Sequence, residues 1–375
     1  MFKFKKRLRK TGTPEAALMP VAHTLFMAAA LTAMAAGAGL AGCGGTGIGT
    51  AGSNGSSYTA AEESRYTTEV FAMDTYMTLT AYGDNAQTAV NEAVAEIRRL
   101  DDRFSVGNAE SDVTLINNAG GGHVSEETAF LIEKSLDIGR KTNGAFDITV
   151  YPLMELWGFT SGNYRVSSDE EIKDVLSKVS YTNVIADGQE VTLNNNAMID
   201  FGGIAKGYTS SRVMEIFRQN GVEHGIISLG GNVQALNSKP DNSSWRVAVQ
   251  KPDGDGSYLG ILSVDNKAVI TSGGYERYFK QNGMTYHHII NPSTGYPSDS
   301  DLTSVTIVCE DGTTADALST SLFVMGLADA MDFYRNSGIA FDMILYDRDG
   351  KLYVTQDIAD SFSSDIDVEI ISRTP

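Results

Sequence analysis

TTADALSTSLFVMG, residues 313–326, reads as a helix, and it sets the frame for everything around it. Helical spacing puts Asp316 and Thr320, four residues apart, on one face. A carboxylate and a hydroxyl presented together are hard oxygen ligands, the kind Mg²⁺ takes when it also holds substrate phosphates. A second segment, IDFGGIAKGY at residues 199–208, packs three glycines around a lone lysine. That composition suits close approach of backbone and cation to an anionic ligand. Together the two segments suggest a magnesium-dependent enzyme acting on a phosphorylated cofactor. The competing reading is a buried amphipathic helix and a glycine-rich turn.

Outward from this helix, residues 304–309 read as a strand before it, and residues 341–346 and 351–355 as strands that close the domain. Upstream, residues 67–81 alternate and are rich in Thr, Tyr, Phe and Met, which predicts one strand. Helical periodicity covers 85–100, 126–142, 169–178 and 207–220, with a polar, mixed stretch at 101–118. Residues 183–199 look like a hairpin, and 225–229, 245–250 and 268–271 like strands. Helices interspersed with hairpins predict an α+β fold with mixed, largely antiparallel sheets and packed helices. With no polar linker inside 66–371, one compact domain is expected, a two-lobed form being left open. Neither a GxGxxG turn nor a GxxxxGK[ST] loop occurs.

The N-terminus is an address. Lys3, Lys5, Lys6, Arg7, Arg9 and Lys10 precede an apolar, alanine-rich run at 25–41. It ends in Leu40-Ala41-Gly42-Cys43, which resembles a bacterial lipobox and implies cleavage before Cys43 and lipid attachment to its thiol. Residues 1–42 are thus read as a signal peptide, 43–65 as lipidated Cys43 and a flexible Gly/Ser tether, and 66–371 as the folded domain. The expected location is the cell membrane, lipid-anchored and facing the extracytoplasmic side. Cleavage for plain secretion is the alternative, and small residues at the end of the run argue against a retained span.

The whole chain carries a formal charge of −18; without the basic leader it falls to about −23. So acidic a domain repels nucleic acid, and a phosphorylated ligand must be captured by local groups and a metal. The only cysteine besides Cys43 is Cys309, read as a small core residue, so no internal disulfide is available.

Four more segments are richer in Gly, Ser, Thr and Asn than packing needs, or pair an acid with apolar residues. SLGGN (228–232) offers successive backbone N–H groups as a pyrophosphate cradle, and TSGGYERYF (271–279) a second such turn. YHHIINPSTGYP (286–297) carries His287 and His288, which in an extended strand point to opposite faces. At most one faces a site, and no third His or Cys stands at zinc-ligand spacing. GAFDITVYPL (144–153) sets Asp147 among aromatic and aliphatic residues. Singly, each reads as structural.

In their joint order, with MDTYM (73–77), WRVAVQKP (245–252) and the two opening segments, they resemble the FAD:protein FMN transferase family, the ApbE-type flavin enzymes, from about residue 67 to about 346. The resemblance implies transfer of FMN from FAD, through its phosphate, to a Thr or Ser hydroxyl of an extracytoplasmic or membrane flavoprotein, with release of AMP. By that pattern Asp316, Thr320 and the carbonyl of Gly203 hold Mg²⁺. Met73 contacts the flavin end, and Ala145, Phe146 and Asp147 line the FAD, Asp147 toward the adenosine part. Asp200 and Lys206 contact the ligand, Lys206 at phosphate, and Ile290 does so through its backbone. The acceptor hydroxyl is deprotonated by His288 or by a metal-adjacent carboxylate such as Asp316; a core role for His288 is the alternative. One departure stands out: where many members place an aromatic residue against the flavin ring, this chain has Gly107, with Phe104 nearby but offset. An FAD pyrophosphatase and a non-catalytic FAD-binding lipoprotein are the rival functions, and a general solute-binding lipoprotein is disfavoured by the hairpins. A metal-ligand face that is mainly exposed also predicts that Asp316→Ala abolishes transfer without harming the fold.

Overall fold

The computed structural model describes residues 64–373 apart from residues 253 and 255. The segments read as signal peptide, lipidated Cys43 and tether lie outside the described residues up to residue 63, and the described residues form one compact unit.

The chain opens with two strands where the sequence predicts one. Arg65–Ala72 and Thr75–Tyr82 pair antiparallel from Arg65↔Tyr82 to Ala72↔Thr75. Met73 and Asp74 turn the chain back at φ of 49° and 59°, the signs a tight hairpin turn demands. Neither is Gly or Asn, so the alternating pattern runs through the turn unmarked. The Met73 N–H donates to Asp101 Oδ2 at 3.0 Å and fixes the conformation.

From that hairpin a nine-stranded sheet continues through Gly225–Leu229, Asn232–Leu236, Ala268–Gly273, Leu302–Cys309, Asp342–Asp347 and Leu352–Thr355 to Val368–Ile371. Every pairing is antiparallel except the last, where Val368–Ile371 runs parallel to Leu352–Thr355. The antiparallel α+β expectation holds, with this parallel edge strand added.

Alternation sorts the sheet into two faces. Met77, Leu79, Leu229, Leu236, Ile270 and Ile307 face the helices. Ala235, Val269, Val308 and Ile344 face a second sheet of Trp245–Gln250, Tyr258–Val264 and Phe362–Ser363. Each of these buried side chains larger than alanine contributes about 1.5–3 kcal/mol, and a one-residue slip would exchange the faces. Cys309 lies in the core, its thiol pushed up to about 12 by burial.

The helices Ala86–Phe104, Ala205–Gln219 and Gly312–Met325 carry the hydrophobic layer that meets the sheet. Gly312–Met325 is buried almost all round, so it is a central helix and not the one-sided helix that the sequence suggests. Asp311 caps it, accepting from the Thr313 and Thr314 N–H groups. Within the stretch read as polar and mixed, Asp112–Ala119 forms a helix capped by Ser111.

Candidate active site

The centre of the site is a helix crossing. A Cβ at Gly207, in the first turn of Ala205–Gln219, would lie 2.2 Å from the Gly312 carbonyl oxygen and 2.5 Å from Asp316 Cβ. Only glycine allows that approach. Ile204 gives that helix no side-chain cap, and the Gly207 N–H is satisfied from the neighbouring helix, donating to Asp316 Oδ2 at 2.7 Å. Asp316 is 4% exposed, which corrects the expectation of an open ligand face. Its Oδ1 takes no hydrogen bond from any described residue.

Thr320, one turn on, is half-buried, with Oγ1 3.3 Å from Ser272 Oγ. Ser272 Oγ lies 2.8 Å from Ser319 Oγ. A Cβ at Gly203 would lie 3.6 Å from Thr320 Oγ1 and 3.1 Å from the Phe146 ring. Gly203, Asp316 and Thr320 therefore converge, as the sequence pattern anticipates. The donor set is hard oxygen, suited to Mg²⁺ and not to zinc.

Charged side chains ring this point. Lys206 and Arg277 both act on Asp200 and on Glu276, and Glu276 also feels Asp316. Burial pushes the Asp200 carboxyl above the usual range, against the Gly202 N–H that donates to its Oδ1 at 2.6 Å and against the two cations. Glu276 is exposed by surface area yet ringed by protein, the setting of a concave wall. That enclosure pushes it up to about 7, Lys206 and Arg277 pulling down and Asp316 pushing up. His288 is half-buried in the same wall, and its burial, then Arg277 and Lys206, hold it down to about 3. Its Nδ1 lies 3.2 Å from the Arg277 carbonyl, which can only accept, so Nδ1 carries the proton and Nε2 the free lone pair. His287 turns elsewhere: its Nε2 donates to the Ser298 carbonyl at 3.1 Å and its ring meets Phe323 edge-on at 5.5 Å.

The remaining predicted residues divide. Met73 comes in from the opening hairpin, its Sδ accepting from Thr209 Oγ1 at 3.7 Å. Phe146 packs beneath Gly203, and Ala145 is half-buried beside it. Asp147 is 8% exposed, and much of its carboxylate is engaged within the protein. Its carboxylate accepts from Thr149 N–H (2.8 Å), Thr149 Oγ1 (2.6 Å) and Tyr181 N–H (2.7 Å), capping the short turn Ile148–Val150. The Ile290 side chain is in a core cluster with Leu153, Trp157 and Phe159, which leaves its backbone for a ligand. Phe104 is buried edge-on against Phe201 and Tyr208, so it supplies no ring at the loop bearing Gly107.

Glu276, Arg277 and Ser272 are the members the sequence reading left unnamed. All three lie in TSGGYERYF, read only as a glycine-rich turn; the adjacent acid and base after two glycines were the signal available.

Known proteins resemble this chain in sequence and in fold. The family model described as "ApbE family" matches residues 73–343. An FAD:protein FMN transferase of Klebsiella pneumoniae is 37% identical over 238 residues, covering 62% of this chain and 73% of that protein. One from Escherichia coli is 32% identical over 234 residues, covering 60% and 67%. Among solved structures, the ApbE protein of Thermotoga maritima superposes with a TM-score of 0.76 at 35% identity, covering 80% of this chain and 99% of that one. The flavin transferase ApbE of Vibrio cholerae does so at 0.71 and 26%, with the same coverage.

Proposed function

This chain belongs to the ApbE family, and on that premise we propose that it transfers FMN from FAD to a Thr or Ser hydroxyl of a partner flavoprotein, using Mg²⁺. The observation that carries this reading is the convergence of Gly203, Asp316 and Thr320 with Lys206 and Arg277. Phosphoryl transfer is mostly positioning and charge neutralisation, so a metal site flanked by two cations is what the reaction requires.

The free Oδ1 of Asp316, Thr320 Oγ1 and the Gly203 carbonyl would hold Mg²⁺, which supplies charge neutralisation on the FAD pyrophosphate. Lys206 and Arg277 hold phosphate oxygens. The acceptor hydroxyl oxygen forms a bond to the FMN-side phosphorus as the bond from that phosphorus to the bridging oxygen breaks. AMP leaves with that oxygen and its electron pair. The hydroxyl proton passes to Nε2 of His288, the lone pair that the Nδ1 bond to Arg277 leaves facing away from that carbonyl. Between the two general-base candidates His288 is favoured, because Asp316 already spends one oxygen on Gly207.

We place the enzyme on the extracytoplasmic side of the cell membrane, anchored through lipidated Cys43, on the strength of the basic leader, the apolar run and the Leu40–Cys43 sequence. The test is intact-mass spectrometry of an acceptor flavoprotein incubated with the domain, FAD and Mg²⁺, with and without chelator. Mg²⁺-dependent addition of one FMN supports the transferase. Free FMN and AMP without labelling would point to a pyrophosphatase, and FAD bound but unchanged to a binding lipoprotein.

A further inference from the structure

No side chain of the SLGGN turn enters the chemistry above, and Asn232 is the one among them with a buried polar atom left unpartnered. It is 3% exposed, and its carboxamide makes no hydrogen bond to any described residue; Nδ2 is fully buried without a partner. A buried amide donor left unpaired is destabilising and rare in native proteins, so this one calls for an explanation.

The register says where it points. On Asn232–Leu236, Gln234 faces the helices, accepting from Ser210 Oγ at 2.6 Å, and Leu236 packs in the helix-side core. Val233 and Ala235 belong to the opposite face. Asn232 therefore faces the helices too. Antiparallel pairing of Val269 with Val233 sets Asn232 beside Ile270, one pleat closer than Gln234 to Ser272 and Thr320. The sheet order places its strand between the one ending at Leu229, next to the Met73 hairpin, and the one carrying Ser272. Beside it, a Cβ at Gly231 would meet nothing within 4 Å, so the turn leaves room, whereas Gly230 is pressed against Thr75.

We propose that Asn232 is a ligand-binding residue whose Nδ2 donates to an acceptor oxygen of the FMN half of the dinucleotide. The inference rests on the functional reading above, in which Met73 marks the flavin end and Asp316 the pyrophosphate. The group that lies between those two marks is the ribityl phosphate, the part that is transferred. In that reading the AMP half lies on the far side of the metal residues from Met73.

The test is Asn232→Leu, close to isosteric and free of the orphaned donor. Binding of FMN and of AMP to the domain is followed by calorimetry, alongside thermal unfolding of the free protein. The proposal expects the Kd for FMN to rise about tenfold or more, AMP to bind as in the wild type, and the Tm to hold or rise. Asn232→Ala, leaving a cavity, should lose FMN affinity equally. A Tm that falls while FMN affinity stays would make Asn232 a structural amide and overturn the proposal, as would equal losses for FMN and AMP. Wild-type protein that binds neither FAD nor FMN would instead sink the functional reading itself, so the two failures are separable.

Discussion

Asp316 and Gly207 are joined by a 2.7 Å hydrogen bond across two helices packed so closely that Gly207 has no room for a Cβ. One carboxylate thus works twice: Oδ2 caps a helix start that lacks its own cap, and Oδ1 is left for the metal. The two jobs can be separated. Asp316→Asn keeps an acceptor for Gly207 and should retain the wild-type Tm within a few degrees, while transfer falls by about 100-fold or more. Asp316→Ala should lose transfer and also about 1.5–3 kcal/mol of stability, because it removes a buried charge-assisted bond. Denaturant unfolding of both variants checks this, and equal stability for the two would show that the bond does not hold the crossing.

Gly207→Ala drives a methyl group against the Gly312 carbonyl oxygen, which is backbone and cannot swing aside. The helices must separate, at a cost of about 1–3 kcal/mol. Transfer should fall with stability, since Gly203 and Lys206 begin the same segment. Normal activity in a well-folded Gly207→Ala protein would mean that the crossing tolerates slack and the site is less tightly built.

Thr320 offers a subtler probe of the metal. Thr320→Val keeps the shape and removes one oxygen from beside Ser272 and Gly203. Transfer by the wild type should stop with chelator and return with Mg²⁺. The variant should need about 10–100-fold more Mg²⁺ for half-maximal rate. An unchanged Mg²⁺ requirement would remove Thr320 from the ligand set.

Gly107 stands where the sequence pattern leads one to expect an aromatic residue against the flavin ring, and the structure shows room to add one. Its φ is not in the left-handed region, and an added Cβ would meet only Ser105 Oγ at 3.6 Å, an ordinary contact. Gly107→Tyr should tighten FAD binding by about 2–10-fold, the worth of one aromatic contact. Fluorescence titration with FAD would show it; weaker binding would place the loop away from the flavin ring.

Elements whose signal is local were legible: Gly225–Leu229 and Trp245–Gln250 match their predicted bounds, and the helices differ by a few residues at their ends. The opening hairpin was not, because Met73 and Asp74 adopt positive φ without the residues that announce it. Nor was the parallel edge strand Val368–Ile371, whose place depends on a partner distant from local cues. At the site, i,i+4 spacing set Asp316 and Thr320 on one face, but not the burial of Asp316, which depends on a glycine 109 residues away. Asp147 shows the converse: a motif position much of whose carboxylate is engaged by Thr149 and Tyr181. Motif order identifies a segment, whereas hydrogen bonding decides which of its atoms remain free.

His288 makes a pH prediction that differs from that of an ordinary histidine. Its burial, then Arg277 and Lys206, hold the folded-state value at about 3, below the 6.5 of a free side chain. Between pH 5 and 8 the imidazole is therefore neutral and able to accept a proton, so transfer should show no acid limb from His288 near 6.5. His288→Gln should lower the rate by about 100-fold or more with FAD affinity retained. The same shift bears on stability. Below 6.5 the unfolded chain binds a proton that the folded chain refuses, so this contribution is complete above 6.5 and is lost as pH falls toward 3. The glutamine variant has nothing to protonate there, and its Tm should decline less steeply than the wild type's between pH 6.5 and 4. An acid limb centred near 6.5 that vanishes in His288→Gln would show that the histidine titrates normally, and the ring would then be more open to water than the structure makes it.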